Sequence, residues 1–108
     1  MSQVAPVALA TDLTTSGAAT VVDVRDPAEW ARGHIPGAIH RPAGELLRDP
    51  SALADLGDGA RLLAVVCASG YRSMMVASLL ARREPCRVRN VAGGMDAWNA
   101  AGMPTTGA

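Results

Sequence analysis

Lysine is absent from this chain. All ten basic residues are arginine and ten acidic residues balance them, so the formal net charge is zero. An arginine-only set without excess charge reads as codon bias rather than as an arginine-specific surface. Aromatic residues are nearly absent as well: two tryptophans and one tyrosine make up 3 % of the chain. With neither a basic stripe nor an aromatic platform, nucleic acid is excluded as a partner. No apolar run approaches the length of a bilayer span, and the opening MSQVAPVALA lacks the charged start and long apolar core of a secretory signal. The expectation is a soluble, cytoplasmic protein with no membrane partner. Histidine is limited to His34 and His40, six positions apart, with no cysteine or carboxylate at zinc-site spacing. No metal and no cofactor are expected.

What remains is compact and apolar. A length of 108 residues with 49 % hydrophobic content fits one domain over residues 1–108, with a small core. Pro6 to Ala10 reads as a short strand, and Thr11 or Asp12 as the cap of a brief helix ending near Gly17. Thr20 to Val24 is continuous and β-branched, as in a strand buried on both faces. Asp26 then caps a short helix from Pro27 to about Arg32, with Glu29 in its first turn and Trp30 toward the core. Turn residues surround a short strand from Ala38 to His40. Two short helices fit Ala43 to Leu47 and Ser51 to Leu56.

The apolar run Leu62 to Val66 is the next strand, and a helix from about Arg72 to Arg83 follows. That helix is apolar around most of its circumference, which predicts cover from neighbours. Cys86 to Val91 makes a further strand, and Gly93-Gly94 turns into a last helix with Met95 and Trp98 on one face. Gly102 and Pro104 end it. Strands alternating with helices at this spacing predict an α/β domain, a parallel sheet of about five strands with helices on both faces. Sites in such sheets sit at the carboxyl ends of strands, where Cys67 falls.

The seven residues from Cys67 to Ser73, CASGYRS, join the Leu62 strand to its helix. A free thiol has a pKa of about 8.5, so little of it is thiolate at neutral pH. A helix N-terminus contributes roughly 0.3 to 2 kcal/mol toward an anion, and Arg72 adds a fixed positive charge. At about 1.4 kcal/mol per unit, the two together lower the thiol by roughly one to two units. Gly70 permits the positive φ that lets backbone N–H groups converge on one point. A reactive thiol of this kind suits a reducing compartment.

Three segments carry a resemblance: DVRDPAEWARGHIPGAIH from Asp23 to His40, CASGYRS from Cys67 to Ser73, and NVAGGMDAWNAAGMP from Asn90 to Pro104. In this order they resemble a single-domain rhodanese, a sulfurtransferase with a rhodanese-like fold. The resemblance implies persulfide chemistry. Cys67 becomes the sulfur-accepting nucleophile, with Ala68, Ser69, Gly70, Tyr71 and Ser73 as the anion cradle and Arg72 as the residue that attracts the donor. The implied partners are a small anionic sulfur donor such as thiosulfate and an acceptor that is a thiol, cyanide or a protein.

Two other classes stay open on this fold. One is a sulfur-carrying or regulatory module whose substrate is a partner protein. The other is a phosphatase or arsenate reductase, because dual-specificity phosphatases also place a cysteine before an arginine in an anion loop. Their loop is one residue longer than the stretch Ala68 to Tyr71 that separates Cys67 from Arg72 here.

The supporting residues divide by role. Arg72 acts on the donor or is a solvated surface charge. Ser73 hydrogen-bonds the Cys67 sulfur or caps the helix, and Tyr71 lies at the rim, where it shapes acceptor choice. Asp23, Arg25 and Glu29 are expected to form a structural ion-pair lattice beneath the loop. Cys86 reads as a small core residue at the start of a strand, against the alternative of a resolving thiol.

Overall fold

A computed structural model describes residues 2–15, 19–49, 62–83 and 88–107. Five strands, β1 (Ser2–Val4), β2 (Ala19–Asp23), β3 (Ile39–His40), β4 (Leu62–Val66) and β5 (Val88–Val91), form one sheet in the order β1-β5-β4-β2-β3. Every pairing is parallel. The helices between them are α1 (Pro6–Thr15), α2 (Pro27–Ala31), α3 (Ala43–Arg48), α4 (Tyr71–Arg83) and α5 (Gly94–Ala100).

The β4 sequence LLAVV shows why the sheet is covered twice. Successive side chains point to opposite faces. Leu63, Val65 and Cys67 fall in one buried cluster with Val76, Ala77 and Leu80 of α4 and Leu46 of α3. Ala64 and Val66 fall in the other, with Leu9 of α1 and Met95 and Trp98 of α5. A strand that must be apolar on both faces reads as a continuous run, and this one is central in the sheet.

The N-terminal segment differs from the sequence-based expectation. Pro6 to Ala10 is not a strand; it opens α1, and the first strand lies earlier at Ser2–Val4. Proline is well placed at the first helical position, because its missing N–H has no intrahelical partner there. Leu9 is fully buried, and Ala10 and Leu13 pack beside it at helical spacing, while Val7 is exposed. Thr11 does not cap the helix either; its hydroxyl donates back to Val7 O at 3.0 Å.

Smaller differences follow from packing. α4 is covered on one face only, with Val76, Ala77 and Leu80 buried and Met74 and Met75 exposed. Trp30 is half-buried rather than in the core, and its ring stacks on those of His34 and His40, with centroids 3.4 and 4.6 Å away. Both imidazoles donate to backbone, His34 Nδ1 to Trp30 O and His40 Nε2 to Arg25 O. The helix expected over Ser51 to Leu56 lies outside the described residues, and only Val88 to Val91 of the strand expected from Cys86 lies within them.

Candidate active site

Cys67 follows β4 directly, and the chain turns through Ala68, Ser69 and Gly70 before α4 begins at Tyr71. Gly70 has φ +102°, a conformation that a residue with a Cβ rarely adopts. The turn points its N–H at the sulfur, 3.1 Å from Cys67 Sγ. Ser73, in the first turn of α4, places its Oγ 3.3 Å from the same sulfur. Cys67 and Ser73 are both fully buried.

Two opposing influences act on the thiol. Burial pushes its pKa up, but hydrogen bonds from the Ser73 side chain and from the N–H groups of Ser73, Gly70 and Ser69 outweigh it, and the net shift is downward. A lowered thiol pKa in a ring of fixed donors is the condition for a nucleophilic thiolate.

A second helix start holds the loop from behind. The N–H groups of Met95 and Asp96 donate to Cys67 O and Ala68 O at 2.7 and 2.9 Å. Gly94, with φ +59°, makes this approach possible: a Cβ there would overlap Cys67 O and lie 2.6 Å from Ala68 O. The loop is thus fixed by α4 in front and α5 behind.

Arg72 reaches across to α2. Its Nη1 and Nη2 donate to Glu29 Oε1 and Oε2 at 2.7 and 3.0 Å. The Arg72 hydrogen bond, opposed by partial burial, lowers the Glu29 pKa from 4.5 to about 2, and the Glu29 hydrogen bond in turn raises that of Arg72. Glu29 therefore belongs to the loop and not to the lattice expected with Asp23 and Arg25. Those two form their own buried pair at 2.8 Å, and Arg25 also donates to Gly33 O. A cleft of about 220 Å³ opens beside Ala68, walled by Arg25, Glu29, Arg32 and Asp96 among others.

The remaining site residues sort by exposure. Ala68 is half-buried, Ser69 and Tyr71 are exposed, and Tyr71, at 82 %, stands on the outer rim beside Met74 and Met75. Ser73 directs its side chain to the sulfur and to Asn90 rather than to a helix cap. Cys86 lies outside the described residues. Two residues that sequence reasoning passed over complete the arrangement, Gly94 behind the loop and Asn90 beneath Ser73. A buried amide inside the strand VRNV was the signal for Asn90, since it needs partners.

The sequence profile of the rhodanese-like domain matches residues 7–101. The chain belongs to the rhodanese-like family. A rhodanese-related protein from Thermoplasma volcanium has the same fold, with a TM-score of 0.83 and 29 % identity over 100 % of both chains. A sulfurtransferase from Allochromatium vinosum is 34 % identical over 78 % of this chain and 75 % of its own length. A putative sulfur carrier protein from Bacillus subtilis is 33 % identical over 72 % of this chain. This chain spans only 40 % of that carrier's length. Within the family's fold, the loop from Cys67 to Ser73 presents a buried thiol of lowered pKa, N–H donors directed at its sulfur and a guanidinium held at the mouth. Among the described residues no three histidine, cysteine, aspartate or glutamate side chains cluster as a metal site.

Proposed function

We propose that this rhodanese-like domain is a thiosulfate sulfurtransferase working through a Cys67 persulfide. The observation that carries the reading is the Cys67 sulfur itself, buried, lowered in pKa and ringed by the N–H of Gly70 and the hydroxyl of Ser73. The Cys67 thiolate, its proton already lost to solvent, attacks the outer sulfur of thiosulfate. A new S–S bond forms, the bond to the sulfonate sulfur breaks, and sulfite leaves with that electron pair. Cys67 then carries a persulfide anion, which the backbone N–H groups of the loop from Ala68 to Ser73 stabilise.

In the second half, a thiophilic acceptor attacks the terminal sulfur. With cyanide, thiocyanate forms and the Cys67 thiolate returns, which closes a ping-pong cycle. Inside a cell the acceptor is a thiol or a protein partner, and a reduced Cys67 fits a cytoplasmic setting. Arg72 serves the donor step. Glu29 occupies two of its five N–H donors, and the others meet the arriving dianion and the departing sulfite.

The test is intact mass. Incubation with thiosulfate adds one sulfur to the wild-type chain and none to Cys67→Ser, and thiocyanate formation is lost in the variant. A Cys67→Ser protein that gains sulfur or keeps most of its turnover overturns the reading. The likeness to a putative sulfur carrier supports a second reading, in which the loaded domain hands sulfur to one protein partner. Slow turnover with a small thiol, accelerated by cell extract, favours that reading over a free enzyme.

A further inference from the structure

Asn90 sits in β5 and is 1 % exposed, in a strand whose other side chains include buried Val88 and Val91. A buried carboxamide has two N–H donors and an oxygen to satisfy. It satisfies them along one chain. The Cys67 thiol donates to Ser73 Oγ, the Ser73 hydroxyl donates to Asn90 Oδ1, and Asn90 Nδ2 donates to Gln3 Oε1 at 3.2 Å and to Gly70 O at 3.4 Å. All four side chains are paired while Cys67 keeps its proton.

Ionisation upsets this order. The thiolate has no proton to give, and the single Ser73 proton now faces two acceptors, Sγ and Asn90 Oδ1. If the proton stays with Asn90, sulfur and Oγ confront each other with lone pairs at 3.3 Å. If it turns to sulfur, the same confrontation moves to the short Ser73–Asn90 contact. A half-turn of the Asn90 carboxamide removes both. Nδ2 then donates to Ser73 Oγ, and Oδ1 faces Gln3. Gln3 lies opposite Asn90 in the edge strand β1 and is exposed, so its own amide is able to turn and donate. The cost is at Gly70 O, which loses its long bond from Nδ2 and faces Oδ1 instead, at a separation of 3.4 Å where the repulsion is weaker than at the short Ser73–Asn90 contact.

We propose that Asn90 is a positioning residue for the reaction of Cys67, acting through Ser73 by reversing this hydrogen-bond chain when the thiol ionises, with Gln3 as its solvent-side end. The proposal rests on Cys67 being the nucleophile of the sulfur-transfer reading. The charges around the thiol are Arg72 with its partners Glu29 and Asp26, Asp96 at the start of α5, and the buried Asp23–Arg25 pair. None of them belongs to the chain. Substitutions within it leave those charges in place, and the carboxylate that Asn90→Asp or Gln3→Glu adds is controlled by the Ser73→Ala background.

The experiment is the pH profile of iodoacetamide alkylation, followed at Cys67 by peptide mass on the full chain. Asn90→Asp and Gln3→Glu are each measured alone and combined with Ser73→Ala. A carboxylate accepts hydrogen bonds and cannot donate, so either substitution holds the chain in its thiol-state direction. Asn90→Asp is expected to raise the alkylation midpoint by about one pH unit, the size of a lost hydrogen bond to a charged group. Gln3→Glu raises it by less, and both shifts collapse when Ser73→Ala breaks the link.

In the wild type, the side-chain amide resonances of Asn90 move with the same midpoint as alkylation. Should Asn90→Asp fail to fold, Gln3→Glu at the exposed edge carries the test. Unmoved midpoints overturn the proposal. So do shifts of equal size with and without the Ser73 hydroxyl, which would mark a through-space charge effect. Alkylation needs no sulfur donor, so failure of the sulfur-transfer reading, seen as no gain of sulfur from thiosulfate, is separable from failure of this one.

Discussion

Arg72 and Glu29, 43 positions apart in sequence, form a two-pronged ion pair that ties the start of α4 to α2 at the mouth of the cysteine loop. The guanidinium at the site is therefore already paired with a carboxylate before any donor arrives. At the sulfur, burial raises the pKa and the hydrogen bonds from Ser73 and the backbone together outweigh it, while Arg72 is held charged chiefly by Glu29. Arg72→Ala should raise the thiosulfate KM several-fold and slow Cys67 alkylation at neutral pH only slightly. Glu29→Gln keeps the side-chain shape and frees the positive charge, so it should lower that KM. Steady-state kinetics of the two variants check the pair. A large fall in alkylation rate for Arg72→Ala would put the arginine, not the hydrogen bonds, in charge of the thiolate.

The same pair predicts a step in acid stability. Glu29 has its folded-state pKa depressed from 4.5 to about 2, so its contribution is complete above pH 4.5 and is lost as pH falls toward 2. Arg72 is 37 % exposed, and solvent screening limits the effect to on the order of 1 kcal/mol. Urea midpoints measured across that window should fall less steeply in Glu29→Gln than in the wild type. Parallel curves for the two proteins would remove the pair from the acid response.

Much of this site was legible in the chain because its signals are local. A continuous apolar run, a cysteine, a glycine turn and a helix follow each other between Leu62 and Arg83, and each has one physical reading. The N-terminal segment misled because Pro6 to Ala10 is too short to separate a helical from a strand period, and Leu13, which completes the helical stripe, was assigned to a separate element. Glu29 was placed with Asp23 and Arg25 because they are near in sequence. Its partner lies on another helix, and no spacing rule reveals that. Asn90 and Gly94 depend likewise on the sheet bringing β5 and α5 behind the loop, a tertiary fact that residue types alone do not encode.

Gly94 yields a sharp stability prediction. A methyl group added there meets the carbonyl oxygens of Cys67 and Ala68, both backbone atoms, at a backbone φ of +59°. Gly94→Ala should cost about 3 kcal/mol or more, since overlap and strain add and neither neighbour is able to swing away. Gly44 is the control. It lies within α3, has no positive φ, and its added Cβ would find only the far end of Arg48 at 4.0 Å. Gly44→Ala should leave stability unchanged or raise it by up to about 1 kcal/mol. Denaturant unfolding of the two variants gives the comparison, and a Gly94→Ala protein as stable as the wild type would mean that α5 does not clamp the loop.

Loop width is expected to separate sulfur from phosphorus chemistry. A phosphoryl group in transfer presents three equatorial oxygens, and a cradle for it needs a ring of N–H groups wide enough to surround them, with the arginine closing the ring. Only Ala68, Ser69, Gly70 and Tyr71 lie between Cys67 and Arg72, one residue fewer than in the dual-specificity phosphatase loop. The consequence is visible at the sulfur. Gly70 N stands 3.1 Å from Cys67 Sγ, so the ring closes on the cysteine itself, and Arg72 is paired with Glu29 at the loop mouth. Such a cradle fits one extra sulfur better than a triad of oxygens. The wild type should therefore take sulfur from thiosulfate and show negligible hydrolysis of aryl phosphates. Inserting one glycine after Gly70 should weaken sulfur transfer, and weak binding of phosphate or arsenate in that variant would show the widened ring at work. Cleavage of an aryl phosphate by the wild type through Cys67, at a rate matching its sulfur transfer, would overturn both the width argument and the assignment.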